Sequence, residues 1–208
     1  MLFFSLWSDG GGYASVEDGL EAFRIESATR AEMSTVVYLS YQAARHVPSD
    51  LPLALEDVPL KVHARYQREE ILAALDFPRN PSSFREGVLY LEHLNVDAFF
   101  ITLKKSEADY SPTTMYADYP ISRDLFHWES QSTTSVTSKT GQRYLNGTST
   151  VLLFVRQEQK DDFGTSPYLF LGPVTYVNHT GDRPIAITWR LETQMPMDFF
   201  NHASAAAQ

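Results

Sequence analysis

The most constraining feature of the sequence is a series of short apolar segments between residues 88 and 191. They are rich in β-branched and aromatic side chains and are separated by turn-forming residues, which favours strands over helices. The segments cover residues 88–91, 97–103, 125–128, 150–155, 168–171, 174–177 and 185–191. Strands of this length and spacing are typical of a β-barrel or a strongly curved sheet. The expected fold class is therefore α+β, with a few helices flanking such a sheet.

Two segments interrupt the series of apolar segments, and each predicts a local feature of the fold. Gly172-Pro173 separates two apolar segments and indicates a bulge or a sharp bend, because glycine and proline within a strand mark such irregularities. Residues 129–149 are rich in hydroxyl and amide side chains and are predicted to form a long polar loop. Loops of this length inside a domain tend to be functional or disordered.

Helices are predicted mainly before the strands. Residues 15–18 and 29–32 resemble capping boxes, and 67–75 is rich in strong helix formers. The second box precedes a stripe at helical spacing formed by Met33, Val36, Val37, Ser40 and Tyr41. Residues 1–58 are interpreted as a helical extension that packs on the main domain or forms an interface to another domain or partner. From residue 201 the chain is expected to be a disordered tail.

Composition limits the classes of function. The chain has no cysteine, which excludes disulfides, thiolate catalysis and thiolate zinc sites. No apolar stretch approaches the roughly 18 residues of a membrane span, so we expect a soluble cytoplasmic protein without membrane contact. The net charge of −9 argues against a general nucleic-acid binder. However, residues 1–58 carry −6 of that charge, and residues 59–208 carry only −3.

No enzyme motif is found. There is no glycine-rich phosphate loop, no G-x-S-x-G and no H-E-x-x-H, and the six histidines are not at close metal-ligand spacing. We therefore expect a non-catalytic module without cofactor or metal. A cryptic nuclease remains an alternative, in which Asp97 or Asp118 would support metal-dependent cleavage beside Lys104 and Lys105.

A cluster of aromatic and polar residues between 110 and 132 is the strongest functional signal. A flipped base needs rings to stack on and donors and acceptors for its Watson–Crick edge, and both are present here. An aspartate accepts from the exocyclic amine of cytosine, and an apolar niche accepts a methyl group. The candidate base-pocket residues are Tyr110, Tyr116, Asp118, Tyr119, Trp128, Gln131 and Ser132. For any single ring, ordinary core packing is the favoured alternative, since aromatic residues are common in β-domains.

Six basic residues are candidates for phosphate contacts, which set affinity rather than sequence preference. Each of them is also compatible with a solvated surface charge. Lys139 and Arg143 are favoured because a polar loop can enter a groove. The complete set is Arg65, Arg68, Lys104, Lys105, Lys139 and Arg143.

Several long motifs resemble a known family. They are residues 63–72, 85–88, 99–106, 111–122, 126–132, 140–144, 153–156 and 170–173, and the resemblance covers about residues 59–196. The family is a domain of unknown function that usually follows a phospholipase-D-type nuclease and a superfamily II helicase. One departure is Glu129, where the family pattern has glutamine.

The resemblance implies a function in restriction. Members include bacterial type IV restriction enzymes, in which this domain is thought to recognise modified cytosine with a fold similar to SRA and PUA-like β-barrels. Residues 59–200 would then form a domain that reads 5-methylcytosine or 5-hydroxymethylcytosine by base flipping. Its partners would be double-stranded DNA and helicase or nuclease domains. The alternative is a protein-interaction or structural domain of a helicase–nuclease complex without a base pocket.

Overall fold

The computed structural model describes residues 1–7, 9–43, 48–104, 118–162 and 164–205. Within these ranges the α-helices precede, interrupt and follow the strands. They are α1 (Leu2–Leu6), α2 (Val16–Ile25), α3 (Ser27–Ala43), α4 (Arg68–Ala74), α5 (Lys139–Leu145) and α6 (Met197–Ala205). The predicted helix at 67–75 is thus present as α4. Its capping box is closed by Glu70, whose carboxylate accepts from the backbone N–H of Gln67 at 2.6 Å.

The strands form one eight-stranded sheet and a separate hairpin. They are β1 (Arg65–Tyr66), β2 (Val88–Leu91), β3 (Val96–Thr102), β4 (Tyr119–Pro120), β5 (Leu125–Glu129), β6 (Thr150–Arg156), β7 (Lys160–Asp161), β8 (Gly164–Thr165), β9 (Tyr168–Thr180) and β10 (Ala186–Leu191). The order in the large sheet is β2-β3-β6-β9-β10-β5-β4, with β1 also paired to β9, while β7 and β8 form the hairpin. Among the strands of the described ranges, only β3 and β6 pair in parallel. Every apolar segment predicted as a strand lies in this sheet.

The centre of the sheet is buried on both faces. Along β3, Ala98 and Phe100 belong to one hydrophobic cluster, whereas Phe99 and Ile101 belong to another. Successive side chains of a strand point to opposite faces, so the two clusters lie on the two sides of the sheet. We call them cluster 1, which contains Phe100, and cluster 2, which contains Phe99.

The sheet is strongly curved but does not close into a barrel. Phe99 of β3 stacks on Trp128 of β5 with ring centroids 4.2 Å apart, although β6, β9 and β10 lie between those strands. In the described residues the outer strands β2 and β4 do not pair with each other, so of the two expected forms the strongly curved sheet is present and the closed β-barrel is not. The side chains of cluster 2 fill the space between the β3 side and the β5 side of the curled sheet. The two sides are therefore joined by side-chain packing and not by strand pairing.

The predicted irregularity at Gly172-Pro173 is confirmed, but it does not break the strand. In β9, Gly172 faces Leu153 and Phe170 faces Phe154, which leaves Leu171 as an extra residue. Gly172 has φ +89°, a conformation that side-chain-bearing residues rarely adopt. The bulge lets β9 continue from Tyr168 to Thr180 as one bent strand.

Cluster 1 is covered by α4 and by the segment that precedes it. Leu51, Leu55 and Val58 are buried together with Ile71 and Leu72 of α4. The start of the chain is attached here as well, since Phe3 of α1 is buried and the Ser5 hydroxyl donates to Glu70 of α4. Core side chains therefore come from residues before 59 as well as after it.

Helix α3 has a different environment. It buries no side chain, and Val36, Val37 and Tyr41 are each more than 60% exposed. The expected packing of this stripe against the main domain is thus absent from the described residues. In that part of the chain, no helix combines the length and apolar character needed to cross a membrane.

Two segments expected to be irregular are helical. Within the predicted polar loop at 129–149, α5 begins after Ser138, whose hydroxyl accepts from the backbone N–H of Gly141 at 3.0 Å. At the C-terminus, α6 continues past Asn201 and buries Phe199 and Ala203 in cluster 2, where a disordered tail was expected. Both are short helices that packing stabilises, which explains why their local sequence does not predict them.

Candidate functional site

A polar cleft lies beside cluster 2, between the β2–β3 hairpin and the segment that contains α5. Its volume is about 310 Å³. The lining residues are Val88, Tyr90, Asp97, Gln131, Thr133, Thr134, Ser138, Thr140, Arg143 and Tyr144. Four of them carry aliphatic hydroxyls, and two of them, Gln131 and Arg143, were predicted as DNA-contacting residues. We call this space the arginine cleft.

Arg143 is held in the cleft by a buried carboxylate. Its Nε donates to Asp97 Oδ2 at 2.7 Å and its Nη2 donates to Oδ1 at 2.9 Å. Asp97 has no exposed surface and also accepts from the Ser149 hydroxyl at 2.6 Å. The hydrogen bond to Asp97 raises the pKa of the Arg143 guanidinium above its usual value, against the opposing effect of desolvation. The guanidinium is therefore permanently charged and fixed in direction.

An aromatic ring completes this arrangement. Tyr90 lies directly opposite Asp97 in the register of β2 and β3. The guanidinium carbon of Arg143 is 3.8 Å from the centroid of the Tyr90 ring, within the range of a cation–π contact. On the inner side, Tyr144 is buried, and this burial raises the pKa of its hydroxyl, which stays neutral at physiological pH.

Close packing fixes the position of α5. A methyl group at Gly141 would lie 2.0 Å from the carbonyl oxygen of Ser135, so only glycine permits this approach. The Gln142 side chain donates to the carbonyl of Val136 at 2.6 Å. Because Arg143 follows on the same helix, these contacts also determine where its guanidinium lies.

The wall formed by residues 130–136 is anchored to the turn between β9 and β10. Ser130 is buried, and its hydroxyl accepts from the backbone N–H of Ile185 at 2.9 Å. Asp182 accepts from the backbone N–H of Val136 at 2.8 Å. Gln131 and Thr133 are exposed between these anchor points, so their side chains are accessible to a ligand.

A second group of predicted residues lies elsewhere. Tyr119 is paired with His127 in the register of β4 and β5, and their rings stack at 4.7 Å. Asp118 accepts from the backbone N–H of Glu129 at 3.1 Å, and His127 Nε2 is 3.9 Å from Glu129 Oε1. All of these side chains are half-buried. They form a ring-and-carboxylate group at the β4 edge, apart from the arginine cleft.

Trp128 belongs to neither group. It alternates with His127 and Glu129 along β5 and so points to the opposite face, into cluster 2. It is 5% exposed, with Phe99 stacked on one face and Tyr144 at its edge. The expectation of an open stacking surface at Trp128 is corrected to a core position.

The remaining predicted pocket residues are divided between the surface and undescribed segments. Ser132 is exposed next to Gln131 but does not line the cleft. Tyr110, Tyr116 and Lys105 lie outside the described residues.

The predicted phosphate-contacting residues have varied environments. Arg68 is a structural residue, because it donates to the carbonyl of Glu86 at 2.6 Å and to the Tyr168 hydroxyl at 2.7 Å. Lys104 forms an exposed ion pair with Glu158 at 2.8 Å. Lys139 and Arg65 are exposed.

Tyr90, Thr133, Thr134 and Ser138 were missed as candidates. Tyr90 could have been found through Asp97, the lone acidic residue of the next strand. A charge within an apolar strand needs a partner, so the residues around Asp97 were candidates for a polar site. Asp97 was considered for metal-dependent cleavage, but here both of its oxygens are bound by Arg143 and Ser149. Among the described residues, no group of three or more histidine, aspartate or glutamate side chains is arranged to hold a metal ion.

The fold and cleft define a mixed α+β domain with an open, curled sheet. The family model for a domain of unknown function, DUF3427, matches residues 60–203, and the chain belongs to this family. The resemblance inferred from the motifs is thereby confirmed at the level of the family. No curated protein matches the chain.

Among solved structures, the chain is similar to two crystal forms of Arabidopsis thaliana SUVH6 in complex with SAM. Sequence identity is 13% for form 2 and 12% for form 1, with TM-scores of 0.43 and 0.40. Each similarity covers 82% of this chain but only 33% and 32% of the SUVH6 chains, so the chain spans about a third of their length.

Proposed function

We propose that this protein is a non-catalytic module that reads a modified cytosine in double-stranded DNA by accepting the flipped base into the arginine cleft. The observation that carries the proposal is that one cleft combines a fixed cation, an aromatic ring and several neutral hydrogen-bonding side chains. Such a combination suits a planar, polar base better than an apolar ligand or a bare phosphate.

The dimensions and chemistry of the cleft agree with a single base. Its volume of about 310 Å³ is at the small end of the range of ligand sites, about 300–1,000 Å³. Tyr90 is 38% exposed and offers the part of its ring that Arg143 leaves uncovered, and Val88 offers an apolar surface for a methyl substituent. Gln131, Thr133 and Thr140 offer donors and acceptors for the Watson–Crick edge.

Arg143 would recognise the acceptor atoms of the base. A guanidinium has five N–H donors, and two of them are bound to Asp97. The remaining donors suit O2 and N3 of cytosine, which are acceptors. Because Asp97 holds the group in place before binding, little side-chain entropy is lost when the base enters.

The family resemblance supports the choice of modified cytosine and the setting. We propose that the module acts in the cytoplasm in restriction of modified foreign DNA, attached to or associated with helicase and nuclease domains. A net charge of −9 is compatible with this role because the base cleft provides specificity, while a partner with basic surfaces adds general DNA affinity.

The test is fluorescence anisotropy at fixed moderate salt. One duplex is prepared with unmodified cytosine, 5-methylcytosine, 5-hydroxymethylcytosine or N6-methyladenine. We expect a preference of at least tenfold, or about 1.4 kcal/mol, for one cytosine modification. Gln131→Ala should reduce this preference. Gln194→Ala, at an exposed glutamine outside the cleft, is the matched control and should retain it. Equal affinity for all four duplexes would contradict the proposal.

A second candidate function is docking to a protein partner. The observation that favours it is helix α3, where Val36, Val37 and Tyr38 are exposed on an acidic N-terminal segment. Leu39 and Tyr41 extend this exposed apolar run along the C-terminal half of the helix, and a contiguous exposed apolar patch is typical of a surface that contacts a partner. This alternative predicts no preference among the four duplexes, and binding of a helicase or nuclease partner that is lost when Val37 and Tyr41 are changed to serine.

A further inference from the structure

A second cleft lies at the opposite end of β3 and β6 from the arginine cleft. Its volume is about 370 Å³. It is lined by Arg65, Arg156, Gln157, Glu158, Lys160, Asp161, Ser166 and Pro167. Arg156 shares its face of β6 with Leu152 and Phe154 of cluster 1. Asp97 of the arginine cleft shares its face of β3 with Phe99 and Ile101 of cluster 2. The two clefts therefore occupy opposite faces of the sheet.

Arg156 forms a rigid part of the wall of this second cleft. The residue is only 7% exposed. Its Nε donates to the Thr102 hydroxyl at 3.0 Å, and its Nη1 donates to the carbonyl of Ser166 at 3.2 Å. Its guanidinium carbon also lies 4.4 Å from the centroid of the Tyr168 ring. A buried guanidinium held from several sides is pre-organised, so it loses little freedom when it binds a ligand.

Two exposed cations from different elements reach the same cleft. Arg65 belongs to β1, which pairs with β9, and Lys160 belongs to the β7–β8 hairpin. In the described part of the chain, neither side chain forms an ion pair. Three cations thus converge from a buried strand, an edge strand and a hairpin.

The local charge balance is positive in a chain of net charge −9. Two carboxylates, Glu158 and Asp161, also line the cleft. Glu158 is ion-paired with Lys104 at 2.8 Å, so its charge is largely compensated. The cations of the lining outnumber the carboxylates by three to two, and Lys104 adds a fourth.

We propose that this second cleft binds a phosphate group, with Arg156 and Arg65 donating to its oxygens and Lys160 adding a flexible charge. Guanidinium groups match the oxygens of phosphate in a bidentate geometry, and an ammonium group acts as a point charge. The phosphate belongs either to a DNA backbone or to a free phosphate compound. This site is independent of the base cleft, since the two share no residue.

The experiment uses the full chain labelled with ¹⁵N and follows the Nε–Hε resonance of Arg156. Inorganic phosphate replaces chloride at constant ionic strength. We expect a saturable shift of the resonance, and a midpoint raised at least fivefold in Arg65→Gln and in Lys160→Gln. Both residues are exposed, so these variants retain the fold. Arg79→Gln, an exposed arginine that lines neither cleft, is the matched control and should retain the wild-type midpoint.

A second titration distinguishes the two sources of phosphate. An unmodified duplex of 12 base pairs that shifts the Arg156 resonance, with weaker binding in both variants, identifies the DNA backbone as the ligand. A shift with inorganic phosphate alone identifies a free phosphate compound. No shift with either, or equal weakening by Arg79→Gln, overturns the proposal. If phosphate shifts the Arg156 resonance but the protein shows no preference among the modified duplexes, the phosphate site is supported and the base-reading function is contradicted.

Discussion

Phe99 of β3 and Trp128 of β5 stack with their ring centroids 4.2 Å apart and their planes inclined by 28°. Three strands separate them within the sheet, so the two rings can touch only because the sheet is strongly curved. Tyr144 of α5 packs against both rings, at 5.2 Å from Phe99 and 5.6 Å from Trp128. The same aromatic cluster therefore joins the β3 side and the β5 side of the curled sheet to the helix that carries Arg143.

The first prediction concerns this stack. Trp128→Ala should lower the free energy of unfolding by about 3–5 kcal/mol, because it leaves a large cavity between two other rings. Urea denaturation at fixed pH measures the change. Trp128→Phe, which keeps an aromatic ring, should lose less than half as much. A stable Trp128→Ala variant that has lost its preference for modified DNA would instead indicate direct contact between the ring and a base.

The second prediction concerns Asp97. Asp97→Asn should cost about 3–5 kcal/mol of stability, the typical effect of removing one partner from a buried ion pair. The variant leaves Arg143 without its counter-charge and frees its guanidinium to move, so its DNA preference should fall as well. Glu158→Gln, which removes an exposed ion pair with Lys104, is the control and should cost less than about 1 kcal/mol. If both variants lower the free energy of unfolding by the same amount in urea denaturation, burial of the Asp97–Arg143 ion pair does not determine its contribution to stability.

The third prediction concerns the close contact between Gly141 of α5 and the backbone of Ser135. Gly141→Ala should destabilise the fold by about 1–3 kcal/mol, since its methyl group overlaps the carbonyl of Ser135. Displacement of α5 also moves Arg143, so preference for modified DNA should weaken in the molecules that remain folded. The control is Gly87→Ala, where a methyl group would meet nothing closer than 3.8 Å. Thermal denaturation and anisotropy together check the prediction, and it is wrong if both variants equal the wild type.

The fourth prediction concerns alkaline pH. Burial raises the pKa of the Tyr144 hydroxyl, so the folded state keeps its proton at a pH where the unfolded chain releases it. Stability from this group is therefore fully present below the usual tyrosine pKa of about 10 and is lost as the pH rises beyond it. Tyr144→Phe should show a shallower loss of stability between pH 9 and 11 in urea denaturation. Tyr41→Phe, on exposed α3, should retain the wild-type profile; a profile unchanged by Tyr144→Phe would contradict the prediction.

The fifth prediction separates Arg68 from Arg65. Arg68→Gln should reduce stability by about 1–3 kcal/mol, because it removes charge-assisted hydrogen bonds to Tyr168 and to the backbone of Glu86. Arg65 is exposed, so Arg65→Gln should leave urea denaturation unchanged. If Arg68→Gln is as stable as the wild type, its interpretation as a structural residue is wrong.

The sequence predicted the longer strands because each carries its own local signal, whereas the two-residue strands β1, β4, β7 and β8 were not predicted. Val88–Leu91 and Thr150–Arg156 are short β-branched or aromatic runs, and Gly172 marked the bulge through its backbone freedom. The helix α5 carried no comparable signal. Its seven residues depend on the Ser138 cap and on the approach of Gly141 to Ser135, which is a contact rather than a propensity.

The candidate site was predicted in part. Gln131 and Arg143 were both expected to contact DNA, and the structure brings them to one cleft. Tyr119 and Trp128 were expected to share a pocket, but the two-residue alternation of β5 and its pairing with β4 place them on opposite faces. A shift in pairing by one residue would reverse this outcome, and only the three-dimensional register defines it.

The sequence by itself determined the longer strands, the helix α4 and the position at which the main strand bends. The tertiary structure alone decided that the sheet curls without closing, that Asp97 meets Arg143, and that Trp128 lies in the core. These are contacts between residues 29 to 46 positions apart, from Phe99 to Trp128 and from Asp97 to Arg143. Strand propensity and capping act over a few neighbouring residues, whereas such contacts arise from packing of the whole chain, which no local pattern encodes.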